Sequence, residues 1–358
     1  MDPFVHTTLP SRVVFGVGSV VRVADEVRAL GITKVFLIAD GAASTIADAI
    51  ANSLGSVVAA RWGDVVQHVP VELAARARAA VDACAADGVV CVGGGSSTGL
   101  AKAIALSHRL PVVAVPTTYA GSEMTSIYGL TGGAHKQTGK DPVVAPRTVI
   151  YDPALTTGLP SAVTGPSAFN AIAHCVEALY GPGNNPVTSV LALEGIRALG
   201  AALPKVIASP SDVSGRADLL YGAHLAGVAL AETGAALHHK ACHVLGGMFG
   251  LVHGDMNSVV LPHAVAFNEP AVPDLIARVA AALGALPGVS AAQALFDLAV
   301  AVGAPTTLAS IGMPAAGIIA AAPNVVADVM AAPGNPRPID LAGATALLEA
   351  AFAGVRPS

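Results

Sequence analysis

The stretch VVCVGGGSSTGLAKAIAL, residues 89–106, decides the fold of the first half of the chain. An apolar run typical of a buried strand leads into three glycines, and a helical pattern follows at once. Glycines let the backbone approach a ligand, and the free N–H groups and dipole of a helix N-terminus favour an anion. The pattern predicts a pyrophosphate-binding turn, with a tight strand-to-helix turn without ligand as the alternative. The residues of this turn are Gly93, Gly94, Gly95, Ser96, Ser97 and Thr98.

Strand and helix patterns alternate on both sides of this turn. Their order predicts a parallel sheet covered by helices, that is, a Rossmann-like α/β nucleotide-binding domain over residues 1–155. The predicted strands cover residues 13–18, 34–40, 56–62, 88–94 and 110–118, and the predicted helices cover 19–30, 42–54, 71–86 and 97–107.

After about residue 153 the strand patterns almost vanish. We therefore predict an all-helical second domain over residues 156–358. The connector DPALTTGLP, residues 152–160, joins the two and is punctuated by two prolines and a glycine. The predicted helices of the second domain lie near 167–180, 186–201, 214–231, 236–249, 273–284, 289–302 and 340–353.

The composition narrows the class of protein. The chain has 358 residues, of which 53% are hydrophobic and 12% charged, and its formal net charge is −5. The longest uncharged stretch, 298–327, is broken by prolines, which favours short buried helices over a membrane span. The charge pattern indicates no nucleic-acid or membrane partner. No CxxC pair and no signal-peptide core is visible, so we expect a reduced, cytoplasmic protein.

Two further loops follow predicted strands of the sheet. A carboxylate at Asp40 would accept from a ribose hydroxyl and repel a 2′-phosphate, or it would cap a helix. The loop PTTYAGSEMT, residues 116–125, lies at a strand end, where open α/β sheets bind ligands. A surface loop rich in Ser and Thr is its alternative. The hydroxyl-bearing residues singled out in this loop are Thr117, Thr118, Tyr119 and Ser122.

The second half carries a histidine constellation. Asn170 and His174 are four residues apart, as are His239 and His243, and His253 follows ten later. Side chains four apart share a helix face, so these five side chains are expected to converge. A divalent metal there would want a carboxylate beside its imidazoles, and position 170 offers only an amide.

These motifs together resemble the iron-containing alcohol dehydrogenase superfamily, which shares its fold with dehydroquinate synthase. The ordered matches are FGxG, GGGS before a helix, PTT-x2-GSE, DP-x-LT-x2-LP, N-A-I-A-H-x-x-E, H-x3-H-x9-H-G and N-x3-LPH, over residues 15–268. The resemblance implies an α/β domain, a helical domain, bound NAD(P) and a homodimer.

The resemblance also implies a particular branch. In the superfamily an aspartate and three histidines hold a metal, and the matching positions here are Asn170, His174, His239 and His253. The aspartate is absent. The strings VPTTYAGSEMT, RTVIYDP and NAIAHCVEALY resemble the maleylacetate reductases, a branch that has asparagine there and is expected to work without metal. Such an enzyme reduces the C=C bond of 2-maleylacetate to 3-oxoadipate in bacterial breakdown of aromatic compounds. NADH is the expected cofactor, and NADPH is a second candidate.

That substrate is a dianionic enone, so hydride addition develops charge on the ketone oxygen. Imidazole suits both carboxylate binding and proton delivery. We expect His243 to lie nearest the nicotinamide as proton donor or relay. His239 and His253 would hold the carboxylate or enolate oxygen, with His174 nearby.

Other side chains complete the predicted site. The chain has few lysines, and Lys140 is predicted to reach the substrate. Arg337 would bind a carboxylate or form a dimer or interdomain ion pair, while His238 and His263 are interpreted as structural. The predicted substrate-binding residues are Tyr119, Lys140, Asn170 and His174.

Two other function classes stay open on the sequence. One is a metal-dependent alcohol dehydrogenase, using Fe or Zn on a small alcohol or aldehyde, that tolerates Asn170. The other is a nucleotide-binding protein without catalytic activity.

Overall fold

The computed structural model describes residues 4, 6–9, 11–132, 135–332 and 334–358. They form two compact units. The α/β unit spans Thr8–Leu159, and the helical unit spans Pro160–Ser358 and includes the described residues before Thr8. The sequence places the boundary at residue 155, inside the same connector.

The α/β unit contains the parallel sheet predicted from the sequence, which is thereby confirmed. Its described strands are β1 (Arg12–Phe15), β2 (Val35–Ala39), β3 (Val58–Trp62), β4 (Gly88–Gly93), β5 (Val112–Pro116), β6 (Ile127–Gly132), β7 (His135–Lys140) and β8 (Thr148–Tyr151). Its described helices are α1 (Val23–Ala29), α2 (Ser44–Leu54), α3 (Val71–Cys84) and α4 (Gly95–His108).

The strand order in the described sheet is β1-β8-β5-β4-β2-β3, and every pairing in it is parallel. Strand β4 is buried along its whole length, as expected for a strand with helices on both faces of its sheet. Because β5, β4 and β2 are neighbours, the three loops that follow them begin side by side at one edge of the sheet.

Two features of this unit were missed by the sequence prediction. Strands β6 and β7 form an antiparallel hairpin, in which Ile127 pairs with Lys140. Its polar, glycine-containing sequence lacks the alternating apolar pattern of a half-buried strand. Strand β8 was also missed, because it is only four residues long and lies between turn sequences. The predicted helix 19–30 is divided into a 3-10 turn, Ser19–Arg22, followed by α1.

The helical unit is built entirely from helices in its described part, as predicted. None of the described helices has the length and apolar character needed to cross a membrane. The helices are α5 (Ser161–Ala178), α6 (Pro186–Ala208), α7 (Val213–Thr233), α8 (Leu237–Phe249), α9 (His253–Asn268), α10 (Pro273–Leu283), α11 (Ala291–Ala301), α12 (Gly317–Ala331) and α13 (Leu341–Ala353).

Helices α9 and α12 were not predicted, and both contain a proline. Pro262 and Pro323 lie inside these helices, where proline removes a backbone donor and normally ends a helix. Burial outweighs that cost, because α9 and α12 supply much of the apolar core that they share with α8 and α13.

Helices α5, α6 and α7 approach one another through glycines. A Cβ on Gly195 of α6 would lie 2.7 Å from Cys175 Sγ of α5. A Cβ on Gly222 of α7 would lie 2.5 Å from Leu199 Cγ of α6. Both distances are shorter than real Cβ contacts, so the spacing of these three helices depends on the missing side chains.

A buried cation ties the same helices together. Arg216 of α7 is completely buried, and its Nη1 donates to Thr164 Oγ1 of α5 at 2.9 Å. Its Nε donates to the carbonyl oxygen of Pro210 at 3.0 Å. Thr164 is completely buried, so water does not readily replace the guanidinium at its hydroxyl.

Replacing Arg216 therefore tests the packing of the helical unit. We expect Arg216→Met to lower the free energy of unfolding by about 2–4 kcal/mol, since it removes the hydrogen bonds of a buried guanidinium, among them the bond to the buried Thr164. Denaturant unfolding measures the change. The exposed Arg278 gives the control, and Arg278→Met should change it by less than about 0.5 kcal/mol. Equal effects of the two substitutions would contradict this account.

Candidate functional site

The glycine-rich turn after β4 has no room for side chains. Gly93 has φ +136°, a conformation that favours glycine, and a Cβ there would overlap the side chain of Ser97. A Cβ on Gly94 would lie 3.1 Å from Thr118 Cγ2. Thr117, at the end of β5, donates its N–H to the Gly93 carbonyl oxygen at 3.0 Å. The structure thus brings the glycines and the threonine loop together.

This turn has the features of an anion site. Helix α4 begins at Gly95 without a side-chain cap, so its first N–H groups have no capping acceptor. Ser97 Oγ is buried and has no hydrogen-bond partner among the described residues. An unpartnered buried hydroxyl, a glycine cradle and a helix N-terminus fit a dinucleotide pyrophosphate.

The capping interpretation of Asp40 is confirmed, and its contact with a ribose hydroxyl stays a prediction. One carboxylate oxygen, Oδ1, caps the short turn after β2 by accepting from the N–H of Ala43 at 3.0 Å. The other, Oδ2, lies 3.4 Å from the place where a Cβ on Gly93 would be. Asp40 therefore lies against the glycine turn with one oxygen not used by the cap.

The histidine constellation converges inside the helical unit. The rings of His174 on α5 and His239 on α8 are stacked, with centroids 4.5 Å apart and planes inclined by 17°. His243, one turn further along α8, lies 6.5 Å from His239 by ring centroids. His253, at the start of α9, lies 6.4 Å from His239 and 6.1 Å from His243. His174 and His239 are buried, His253 is half-buried and His243 is exposed.

Glu177, to which the sequence analysis gave no role although it ends the motif N-A-I-A-H-x-x-E, positions the cluster. Its carboxylate is buried at 1% exposure and accepts from three groups of α8 or its start. These are the N–H of Ala236 at 2.9 Å, the N–H of His238 at 2.6 Å and Nδ1 of His239 at 2.7 Å. His239 therefore carries its proton on Nδ1, and its Nε2 is buried without a partner among the described residues.

The charge of Glu177 follows from these bonds. Burial favours the neutral acid, but the charge and hydrogen bond of His239 outweigh it and hold the pKa of Glu177 below its usual value. Burial, reinforced by the neighbouring His239, lowers the pKa of His174 well below that of a free imidazole. Burial also lowers the pKa of His238 to about 4. Near neutral pH Glu177 is thus a carboxylate, and His174 and His238 are neutral imidazoles.

Asn170 takes part in an amide chain between helices. Its Oδ1 accepts from Asn257 Nδ2 of α9 at 3.1 Å. Asn257 Oδ1 in turn accepts from His238 Nε2 at 2.8 Å. The side chain of Asn170 thereby connects α5 to α9 through a hydrogen bond that Asn257 donates.

The donor set does not fit the metal that the superfamily implies. Metal-bound imidazoles point in-plane lone pairs at one ion about 2 Å away. The stacked planes of His174 and His239 do not meet at such a point, and the oxygen of Asn170 already accepts from Asn257. Among the described residues, no three His, Cys, Asp or Glu side chains group so as to hold an ion.

The remaining predicted residues are placed as follows. Lys140 is exposed at the end of the hairpin in the α/β unit, so its approach to substrate stays a prediction. Tyr119 is completely buried in the same unit. Arg337, in the helical unit, stacks 4.3 Å from the ring centroid of Phe267 and donates to its carbonyl oxygen at 2.8 Å. His263 is buried, and burial lowers its pKa to about 4.

A second residue that the sequence analysis missed is Lys102 of α4. It is completely buried, and its Nζ donates to the carbonyl oxygen of Ser122 in the threonine loop at 2.6 Å. The signal available for both missed residues was a charge within an apolar run. Glu177 follows His174 by three positions in NAIAHCVEALY, and Lys102 lies in GLAKAIAL.

Family models cover most of the chain. Residues 10–153 match the model of iron-containing alcohol dehydrogenases, and residues 164–352 match the C-terminal model of the same family. The chain therefore belongs to the iron-containing alcohol dehydrogenase family and is an oxidoreductase.

Within that family the chain is similar to maleylacetate reductases. It is 47% identical to the maleylacetate reductase of Burkholderia cepacia, covering 100% of both chains. The crystal structure of maleylacetate reductase from Rhizobium sp. strain MTP-10005 superposes with a TM-score of 0.92 at 44% identity, covering 100% of both chains. That of the Agrobacterium tumefaciens enzyme gives 0.92 at 42% identity with the same coverage.

The Glu177 bond to His239 can be tested without an activity assay. We expect Glu177→Gln to lower the free energy of unfolding by about 1–3 kcal/mol, because an amide N–H₂ would face one of the donors that the carboxylate accepts. The proton of His239 should then redistribute between Nδ1 and Nε2, which ¹⁵N NMR of the imidazole detects. Glu349 is exposed on α13, and Glu349→Gln is the control. An unchanged His239 spectrum in Glu177→Gln would contradict the assignment.

Proposed function

We propose that this chain reduces the C=C bond of 2-maleylacetate to 3-oxoadipate with NADH and without a catalytic metal. Full-length identity of 47% to a maleylacetate reductase carries the proposal. The replacement of the metal-ligating aspartate by Asn170, bonded to Asn257, agrees with it. The metal-dependent alcohol dehydrogenase alternative has no comparable support from the donor geometry.

The α/β unit supplies the cofactor site in this proposal. The glycines of the turn give the pyrophosphate close access to the backbone, and the first N–H groups of α4 donate to it. Ser97 Oγ, unpartnered among the described residues, is available as a further donor. The bound dihydronicotinamide supplies the hydride. Thr118, packed against Gly94, limits the width of this cradle.

Asp40 supports NADH over NADPH. Its Oδ2 lies beside Gly93, at the strand end where a ribose is bound in dinucleotide folds. A carboxylate there accepts from a ribose 2′-hydroxyl and repels a 2′-phosphate. The first oxygen stays bonded to the N–H of Ala43, which keeps the carboxylate in place.

The helical unit supplies donors for the dianionic substrate. The reaction adds hydride to the carbon β to the ketone, and the electron pair of the C=C bond moves to give an enolate oxygen. His239 and His253 bind carboxylate or enolate oxygen, and His174 stacks on His239 and holds its plane. Lys140, from the α/β unit, contributes a positive charge that attracts the dianion.

Proton delivery falls to His243 in this scheme. It is the exposed member of the cluster, so it exchanges protons with solvent, whereas His174 and His239 are buried. A proton on the α carbon completes the reduction and re-forms the ketone. A homodimer, a cytoplasmic location and a role in bacterial aromatic catabolism belong to the same proposal.

A substrate and metal panel tests the function. The protein is purified without added metal, treated with a chelator and assayed by NAD(P)H oxidation. We expect full turnover of maleylacetate, faster with NADH, and a kcat/KM for simple aldehydes at least about a hundredfold lower. Activity lost on chelation and restored by Fe²⁺ or Zn²⁺ would support the metal-dependent alternative. No turnover of any carbonyl or enone substrate would support the nucleotide-binding alternative.

Restoring the aspartate probes the substituted position. We expect Asn170→Asp to raise the affinity for Zn²⁺ or Fe²⁺ about tenfold or more, because it adds an anionic ligand. Its kcat/KM for maleylacetate should be no higher than that of the wild type, since a new negative charge faces a dianion. Elemental analysis and steady-state kinetics measure both, with the exposed Asn324→Asp as control. A large gain in turnover only with metal present would contradict the proposed site.

A further inference from the structure

We propose that Lys102 is a positioning residue for the dinucleotide: its buried ammonium holds the loop Thr117–Ser126 against α4 and so sets the affinity for NADH. This inference rests on the proposed cofactor site. It concerns a residue that does not touch the reacting atoms and acts through the loop that packs against the glycine turn.

The hydrogen bonds of Lys102 are directed at one stretch of chain. Its Nζ donates to the carbonyl oxygen of Ser122 at 2.6 Å, to Thr125 Oγ1 at 2.8 Å and to the carbonyl oxygen of Ile127 at 2.8 Å. Ser122 Oγ is a weaker fourth neighbour at 3.3 Å. An ammonium has three N–H groups, so the three short bonds use all of them.

These bonds connect the two halves of the predicted cofactor cradle. Lys102 stands on α4, whose N-terminus begins the pyrophosphate turn. Its acceptors lie in the loop after β5 and at the first residue of β6, and the first residues of that loop contact the turn through Thr117 and Thr118. Without the ammonium, the segment 122–127 would lose three hydrogen bonds to α4.

The carboxylate of Glu123 acts on the charge of Lys102 without a hydrogen bond between them. Glu123 is buried beside Ser122, but it is not among the hydrogen-bond acceptors of Lys102 and instead accepts from Tyr151 Oη at 2.8 Å. The groups whose charges act on Lys102 are Glu123, from the loop, and Cys91, from β4 beneath α4. Burial raises the pKa of the Cys91 thiol to about 12, which keeps that thiol neutral. The ammonium is thus held by neutral oxygens.

The attachment should depend on pH. Burial lowers the pKa of Lys102 to about 7, against the opposing charge of Glu123. A neutral amine has two N–H groups for three facing oxygens, so one bond is lost as the pH rises through that value.

The folding stability depends on pH in the opposite direction from the attachment of the loop. In the unfolded chain the pKa of Lys102 returns to 10.5, so between about 7 and 10.5 the unfolded state binds more protons. The contribution of this group to folding stability therefore rises with pH over that range. A loss of NADH affinity there is not a loss of fold.

The test is direct titration of the whole protein with NADH, at about pH 6 and about pH 9, comparing wild type with Lys102→Met. We expect the variant to raise the Kd for NADH about tenfold at the lower pH and less than about threefold at the higher pH. The kcat at saturating NADH should stay within about threefold. Lys34 is exposed in the same unit, and Lys34→Met should leave the Kd unchanged.

An unchanged Kd in Lys102→Met, or an equal increase at both pH values, would overturn the inference, because a general packing defect does not titrate. If that variant does not fold, Thr125→Val decides: it removes one acceptor and should raise the Kd about threefold at the lower pH, and no rise would overturn the inference. Binding is measured without turnover. A wild type that binds NADH but does not reduce maleylacetate refutes the proposed function and leaves this inference standing.

Discussion

The histidine cluster depends on one carboxylate. Glu177 reaches from α5 into the buried start of α8 and accepts two backbone N–H groups and the ring of His239. The positive end of the α8 dipole adds to the stabilisation of the anion. Because α8 is fixed at this point, His239 is brought against His174 and His243 is presented one turn further on. The chemistry of the cluster is thus set by a residue that itself faces no solvent.

Both units follow one principle of construction. In each, a buried ionised group is solvated by the protein: Glu177 by N–H donors of α8, and Lys102 by carbonyl and hydroxyl oxygens of residues 122–127. Neither pairs with a full opposite charge at hydrogen-bond distance, apart from the imidazole of His239, which is charged only when protonated. Such groups are costly to bury, and their bonds recover the cost only in one arrangement of the surrounding chain. They therefore specify geometry more than they add stability.

The sequence predicted those parts of the structure that show a regular periodicity of apolar or histidine residues. The parallel sheet followed from apolar runs between helical patterns, and the meeting of the histidines followed from their four-residue spacings. Helices α9 and α12 were missed because Pro262 and Pro323 lie inside them, and proline normally ends a helix. Their burial in the tertiary structure stabilises these two helices in spite of the proline. The roles of Glu177 and Lys102 were missed for a different reason. A charged residue in an apolar run of sequence reveals neither its burial nor its hydrogen-bond partners.

The glycine contact between α5 and α6 has a consequence for how such an enzyme diverges. Gly195 lies against Cys175, the residue that directly follows His174 on α5. A single methyl group on α6 would displace the helix that carries Asn170 and His174, although it touches no polar atom of the site. Substrate preference in this architecture can therefore drift through changes in helix spacing while every active-site residue stays the same. Comparisons of relatives restricted to the site residues would not detect such drift.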